Sequence, residues 1–214
     1  MKEVVKLIET HVNERKIDRH QGLNVLLDFL VDLFDCSHYE KNGFLDNCKI
    51  QAQKEPYLYK VAMIWMKKVS QAMENGTWID FFGGIYEEMY QSNRKASTLG
   101  QFFTPPPVCD MMGALSIPVH GRINDSACGS GRTLLAAAAE SGFDRNNIYV
   151  GEDVDIASVK MCALNLMIHG CRGEVLQHDS ILETETYDFG FRINDIRYPF
   201  PSPFYSLTRI RNRK

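Results

Sequence analysis

Apolar residues fall at helical spacing along the first part of the chain. Leu23, Leu26, Leu27, Leu30, Val31 and Phe34 share one face of a single helix. Pro56 suits a first helical turn, and Leu58, Ala62, Trp65 and Val69 then form a stripe. Thr77 is placed to cap a third helix, with Asp80 three residues on and Phe82, Ile85, Tyr86 and Met89 as its apolar face. Residues 1–92 therefore read as a helical N-terminal region. From residue 93 the texture changes. A polar stretch, Ser92 to Leu99, precedes a helix begun by Thr104, Pro105 and Pro106 that carries Val108, Met111, Met112 and Leu115. A short strand ends near Asp125, then a glycine-rich turn leads into an alanine-rich helix from Thr133 to Glu140, closed by Gly142. Further strands are expected at Ile148–Gly151, Glu174–Gln177 and Asp188–Ile193, with a helix from Ile156 to His169 stopped by Gly170. Strands alternating with helices predict an α/β fold with a parallel sheet over residues 93–214.

Composition narrows this picture only a little. The 214 residues are 44% hydrophobic and 24% charged, an ordinary globular balance. There are 24 Lys and Arg against 27 Asp and Glu, a formal charge of −3, which excludes a wholesale basic nucleic-acid wrapper. No apolar run approaches the roughly 18 residues of a membrane span, and the N-terminus lacks a signal-peptide core. Six scattered cysteines form no CxxC pair, and no histidine cluster stands beside them. They read as reduced thiols of a cytoplasmic protein, with no metal site.

A parallel sheet binds its ligand at the carboxyl ends of its strands. The first strand ends in Asp125-Ser-Ala127-Cys-Gly129-Ser-Gly131, where glycines allow backbone to approach a ligand. The second ends in Gly151-Glu152-Asp153, and a carboxylate there can accept both hydroxyls of a ribose. The third ends in His178-Asp179-Ser180, where Asp179 could accept from an adenine amino group. The turn is not the dinucleotide fingerprint, because Leu134 stands where its third glycine belongs. It is not a P-loop, since no Gly-Lys-Ser/Thr follows. An adenosine ligand without a phosphate arm fits better, and S-adenosylmethionine is such a ligand.

These residues carry a family resemblance. Gly100-Gln-Phe-Phe103-Thr104-Pro105 resembles the Gly-x-Phe/Tyr-Tyr/Phe-Thr-Pro element of N6-adenine DNA methyltransferases, with the modification subunits of type I restriction-modification systems the nearest kin. Asp125-Ser-Ala-Cys-Gly-Ser-Gly131 is similar to that family's Asp-Pro-Ala-Cys-Gly-Ser/Thr-Gly, with Ser126 in place of Pro. Asp80-Phe-Phe-Gly-Gly-Ile-Tyr86-Glu87 and Asn165-Leu-Met-Ile-His-Gly170 resemble its flanking helices. The likeness spans roughly residues 80–194. It implies a Rossmann-like S-adenosylmethionine-dependent methyltransferase fold, here a truncated parallel sheet with the helical region in front.

Roles follow from the resemblance one at a time. Phe103, Thr104 and Pro105 would line the methionine end of S-adenosylmethionine. Asp125, Ala127, Gly129 and Gly131 would lie along its amino-acid portion. Asp153 would hold the ribose, and Asp179 with Ser180 would meet the adenine. The family closes its fourth strand with Asn/Asp-Pro-Pro-Tyr/Phe, which holds and stacks a flipped adenine. Here the strand leads to Asn194-Asp-Ile-Arg197, one residue late, with neither proline and with Arg197 for the aromatic. Asn194 and Tyr198 are the catalytic candidates.

The prolines at 199, 201 and 203 argue against further central strands, which leaves the fourth strand as an edge unless the tail or a partner subunit covers it. The basic tail, Arg209 to Lys214, reads as solvated. The function expected by resemblance is methyl transfer to adenine N6 in DNA. Two alternatives stand beside it: a non-catalytic cofactor-binding or assembly subunit needing a partner chain, and a dinucleotide oxidoreductase.

Overall fold

The computed structural model describes residues 1–18, 21–36, 43–91, 103–116, 121–182, 189–195 and 205–211. Helices α1 (Lys2–Arg15), α2 (Gly22–Phe34), α3 (Gly43–Lys54), α4 (Pro56–Glu74) and α5 (Phe81–Tyr86) come first, and α5 runs on into a π-helical turn, Glu87–Gln91. Then α6 (Pro106–Ser116), α7 (Arg132–Glu140) and α8 (Ile156–Ile168) alternate with strands β1 (Arg122–Asp125), β2 (Ile148–Asp153) and β3 (Arg172–Gln177), followed by β4 (Phe189–Ile193) and β5 (Leu207–Arg211).

The stripe on α2 is buried throughout. Gly22 lets α1 approach, since a Cβ there would lie 2.9 Å from Ile8 Cγ2. On α4, Trp65 is fully buried, edge-on to Phe34 at 5.8 Å and tilted against Phe82 at 5.1 Å. Helix α8 is buried at nearly every position because it lies between the sheet and this helical layer. One apolar cluster thus runs from Val4 through Trp65 and Leu164 to Phe191. Thr77 does not open α5. Its backbone N–H closes α4 on the Ala72 carbonyl, and Asp80 is the N-cap, accepting from Gly83 N–H at 2.8 Å.

The sheet order is β1-β2-β3-β4-β5. β1, β2 and β3 are parallel, but β4 pairs antiparallel with β3, and β5 antiparallel with β4, so the wholly parallel sheet expected from the sequence is corrected to a mixed one. The connection explains the reversal. Residues 178–188 are fewer than the roughly dozen that a parallel crossover needs. The tail, expected to be solvated, supplies β5 and covers β4. Its Arg209 pairs with Asp32, and with Asp35 at 3.4 Å, at the end of α2. The edge strands of the described sheet are therefore β1 and β5 rather than β4, and Leu207 at the start of β5 bridges Asp35. The stripe of α6 is exposed, with Leu115 at 80%, whereas Cys109 and Gly113 of the same helix are buried.

Reversal of β4 moves Asn194. Ile193 pairs with Gly173 at the start of β3, so Asn194 lies at the end of the sheet opposite Asp125 and Asp153. There its amide donates to the carbonyls of Met167 at 2.9 Å and Cys171 at 2.7 Å, and its Oδ1 accepts from Ser206 N–H at 3.0 Å. It stands at φ 48°, a conformation Asn tolerates better than most residues. Asn194 joins the end of α8 to the β4–β5 connection. Asn194→Ala should lower unfolding stability by about 2 kcal/mol in urea titration, since three hydrogen bonds go and alanine is strained there.

Candidate functional site

The carboxyl ends of β1, β2 and β3 meet at one edge, and backbone hydrogen bonds hold them there. The turn after β1 is tied to β2 by Cys128 N–H donating to the Glu152 carbonyl at 2.9 Å. Gly129 N–H donates to Asp153 Oδ2 at 2.9 Å, while Asp153 Oδ1 accepts from Asp155 N–H at 2.9 Å. The turn after β3 is tied to the turn after β1 by Ser180 Oγ, which donates to the Ser126 carbonyl at 2.7 Å. Asp179 folds back on its own turn, accepting from Ile181 and Leu182 N–H at 3.1 and 3.2 Å. Asp125 accepts from Ala127 N–H at 3.1 Å and from the Thr133 hydroxyl. It also lines a cleft of about 250 Å³ between α6, α7 and β1.

Gly131 turns the chain into α7 at φ 88°, and a Cβ there would lie 2.9 Å from Cys162 Sγ. Both reasons require glycine. Burial first, and the adjoining Cys128 second, push the Cys162 thiol up, so it is a protonated packing group and not a nucleophile.

Phe103 lies over this turn, its Cε1 3.3 Å from where a Cβ of Gly129 would stand. Tyr86 meets the Phe103 ring edge-on at 5.3 Å. Thr104 is half-buried beside it. Pro105 is exposed, and its carbonyl starts α6 by accepting from Val108 and Cys109 N–H. The structure thus brings Phe103, Thr104, Asp125, Ala127, Gly129, Gly131, Asp153, Asp179 and Ser180 to one edge. It leaves Asn194 at the other, and Tyr198 lies outside the described residues.

Beneath the turn is a buried polar network. Asp80 Oδ1 accepts from Asn165 Nδ2 at 2.8 Å, and Oδ2 accepts from Ser130 Oγ at 2.6 Å and Arg132 Nε at 2.5 Å. Asn165 Nδ2 also donates to the Ser130 carbonyl at 3.0 Å. A Cβ on Gly83 would lie 1.9 Å from Asp80 Oδ2, so only glycine fits there. His169 lies below, its Nδ1–H donating to the Asn165 carbonyl at 2.7 Å and its Nε2 accepting from Ile79 N–H at 3.4 Å.

Asp80 and Asn165 stand within the resembling segments, but spacing assigns Asp80 only a place three residues after the Thr77 cap, and Asn165 no task. Arg132 carried one legible signal. It adjoins the helix start expected at Thr133, and a cation at that end opposes the helix dipole unless carboxylates hold it there.

A match to known proteins adds to this geometry. The family described as N-6 DNA Methylase matches residues 77–197, more than half of the chain. The chain belongs to the N-6 DNA methylase family. The matched methylase segment contains the Asp80 network, the Phe103–Pro105 segment and all three strand ends. Among curated methylases, the type I restriction enzyme MjaIX methylase subunit of Methanocaldococcus jannaschii is 28% identical over 138 residues, 62% of this chain and 25% of that protein. The HindI methylase subunit of Haemophilus influenzae is 25% identical over 166 residues, 71% of this chain and 37% of its own length. The chain therefore spans between about a quarter and just over a third of these relatives. A solved type I restriction-modification methyltransferase subunit from Streptococcus thermophilus superposes with a TM-score of 0.46 at 17% identity, over 86% of this chain and 42% of that one.

The network has a pH signature. Burial pushes the His169 pKa down to about 4, against the opposing pull of the Asn165 carbonyl. A folded pKa below the unfolded one gives stability that is complete above about pH 6.5 and is lost as pH falls toward 4. Unfolding free energy at pH 4 should be roughly 3 kcal/mol lower on this account alone. In His169→Gln that part of the pH dependence should vanish, as read by denaturant titration at several pH values.

Proposed function

We propose that this chain carries the S-adenosylmethionine site of an adenine-N6 DNA methyltransferase and needs a partner chain to methylate. One observation carries the cofactor reading. The Gly129 N–H, which a dinucleotide fold would aim at a pyrophosphate, instead donates to the Asp153 carboxylate. Asp125, Glu152, Asp153 and Asp179 make that edge acidic, which repels phosphates and suits hydroxyl and amine donors.

The residues fit the adenosyl group. A carboxylate offers about four acceptor positions, so Asp153 keeps capacity for ribose hydroxyls beside its two backbone donors. Gly129 gives a floor without a side chain, facing Phe103. Asp125, Ala127, Gly131 and the Phe103–Thr104–Pro105 segment would border the amino-acid end, and Asp179 with Ser180 the adenine. The cofactor supplies an electrophilic methyl group when bound. The chain's part is to hold it with the methyl end open to a DNA base. Residues 93–214 would carry this site, buttressed by the helices of residues 1–92.

The partner-dependent reading rests on Asn194, which is engaged with Met167, Cys171 and Ser206 far from the strand ends. An amide so placed cannot hold a target adenine against the cofactor. A second chain would supply the base-holding element and DNA recognition. Both curated relatives are themselves named as subunits.

Calorimetric titration with S-adenosylmethionine, with NAD as control, tests the first half. Micromolar binding is expected, with none for NAD. Asp153→Ala should weaken it at least about tenfold, losing charge-assisted bonds to the ribose. A well-folded protein that binds NAD, or neither ligand, would sink the cofactor reading. Methyl transfer to unmethylated DNA by the chain alone would sink the need for a partner.

A further inference from the structure

Arg132 is the first residue of α7, its side chain 8% exposed. A guanidinium buried against a helix N-terminus is tolerable only when partners surround it. Four groups do so. Nε meets Asp80 Oδ2 at 2.5 Å, and Nη1 meets Glu87 Oε1 at 2.9 Å. Nη1 also donates to the Thr104 carbonyl at 3.4 Å, and the cation lies 4.9 Å from the centre of the Phe103 ring. These partners come from three separate segments: the cap of α5, the π-helical turn that follows it, and the Phe103–Thr104–Pro105 stretch. Arg132 itself follows directly on the Gly129–Gly131 turn. It therefore links the aromatic wall to the glycine floor on which that wall closes.

We propose that Arg132 is a positioning residue that sets the gap between Phe103 and the Gly129 turn, and so the fit of the amino-acid end of the cofactor. This rests on the reading of the site as an S-adenosylmethionine site. The planar fork matters, because two directions of hydrogen bond and one stacking face are used together. A lysine ammonium reproduces the charge and not this geometry. Glu87 is the adjustable member, since its side chain is 36% exposed whereas that of Asp80 is 4% exposed. Neutralising Glu87 leaves the Asp80 pair in place and weakens the hold on the guanidinium on the side nearest Thr104, because an amide oxygen still accepts but carries no charge.

The test compares two ligands that differ only in the part the gap would hold. S-adenosylhomocysteine has the amino-acid arm, and 5′-methylthioadenosine lacks it. Glu87→Gln and Arg132→Lys should raise the Kd of the first about tenfold and change that of the second by less than about twofold. In protein labelled with 4-fluorophenylalanine, the Phe103 resonance, assigned through Phe103→Leu, should shift in Glu87→Gln without ligand. Parallel changes for both ligands would overturn the inference and leave a merely structural role. So would an unmoved Phe103 resonance. If the parent protein binds neither ligand, the cofactor reading fails, and the Phe103 resonance alone decides whether Arg132 positions the wall. Should Arg132→Lys not fold, Glu87→Gln carries the same comparison.

Discussion

The Asp80 carboxylate holds the helical layer and the sheet layer in one register. It caps α5 through Gly83 N–H and accepts from Ser130, Arg132 and Asn165, which belong to the glycine turn, α7 and α8. A carboxylate so buried must be fully satisfied, because a missing partner would leave charge in a low-dielectric interior. The four donors have little freedom in consequence. The turn that carries Gly129 and the start of α5 take their relative positions from this group. Gly83 is part of the same constraint, since any side chain there would occupy the carboxylate's place.

The second constraint is the short path from β3 to β4. It turns β4 round, lets β5 pair beside it, and takes Asn194 to the far end of the sheet. Two consequences follow for the site. The strand ends that gather acidic side chains and the glycine turn come from β1, β2 and β3 alone. The residue expected to hold a target base instead closes the end of α8, at the opposite end of the sheet from the residues expected to hold a cofactor.

Much of this was legible along the chain. The helical stripes on α2 and α4, the three parallel strands and the glycine turn all follow from local periodicity and turn chemistry, which need no tertiary information. The residues expected at the strand ends lie together because a parallel sheet with helical crossovers leaves its turns at one edge. The Asp80–Arg132–Glu87 network was not legible as a network. Arg132 lies 52 residues from Asp80 and 45 from Glu87, and pairing between buried charges leaves no periodic trace. Arg132 at a helix start was the one local sign.

The amino-acid sequence by itself determined the family, the α/β character of residues beyond 93 and the run of groups at the first three strand ends. Each of those is written in contiguous residues. Only the tertiary structure decided the direction of β4, the pairing of the basic tail as β5 and the structural engagement of Asn194. It also decided which buried carboxylate receives Arg132. Those outcomes depend on which segments meet in space, and strand direction and charge burial are settled by the whole packing rather than by any one segment.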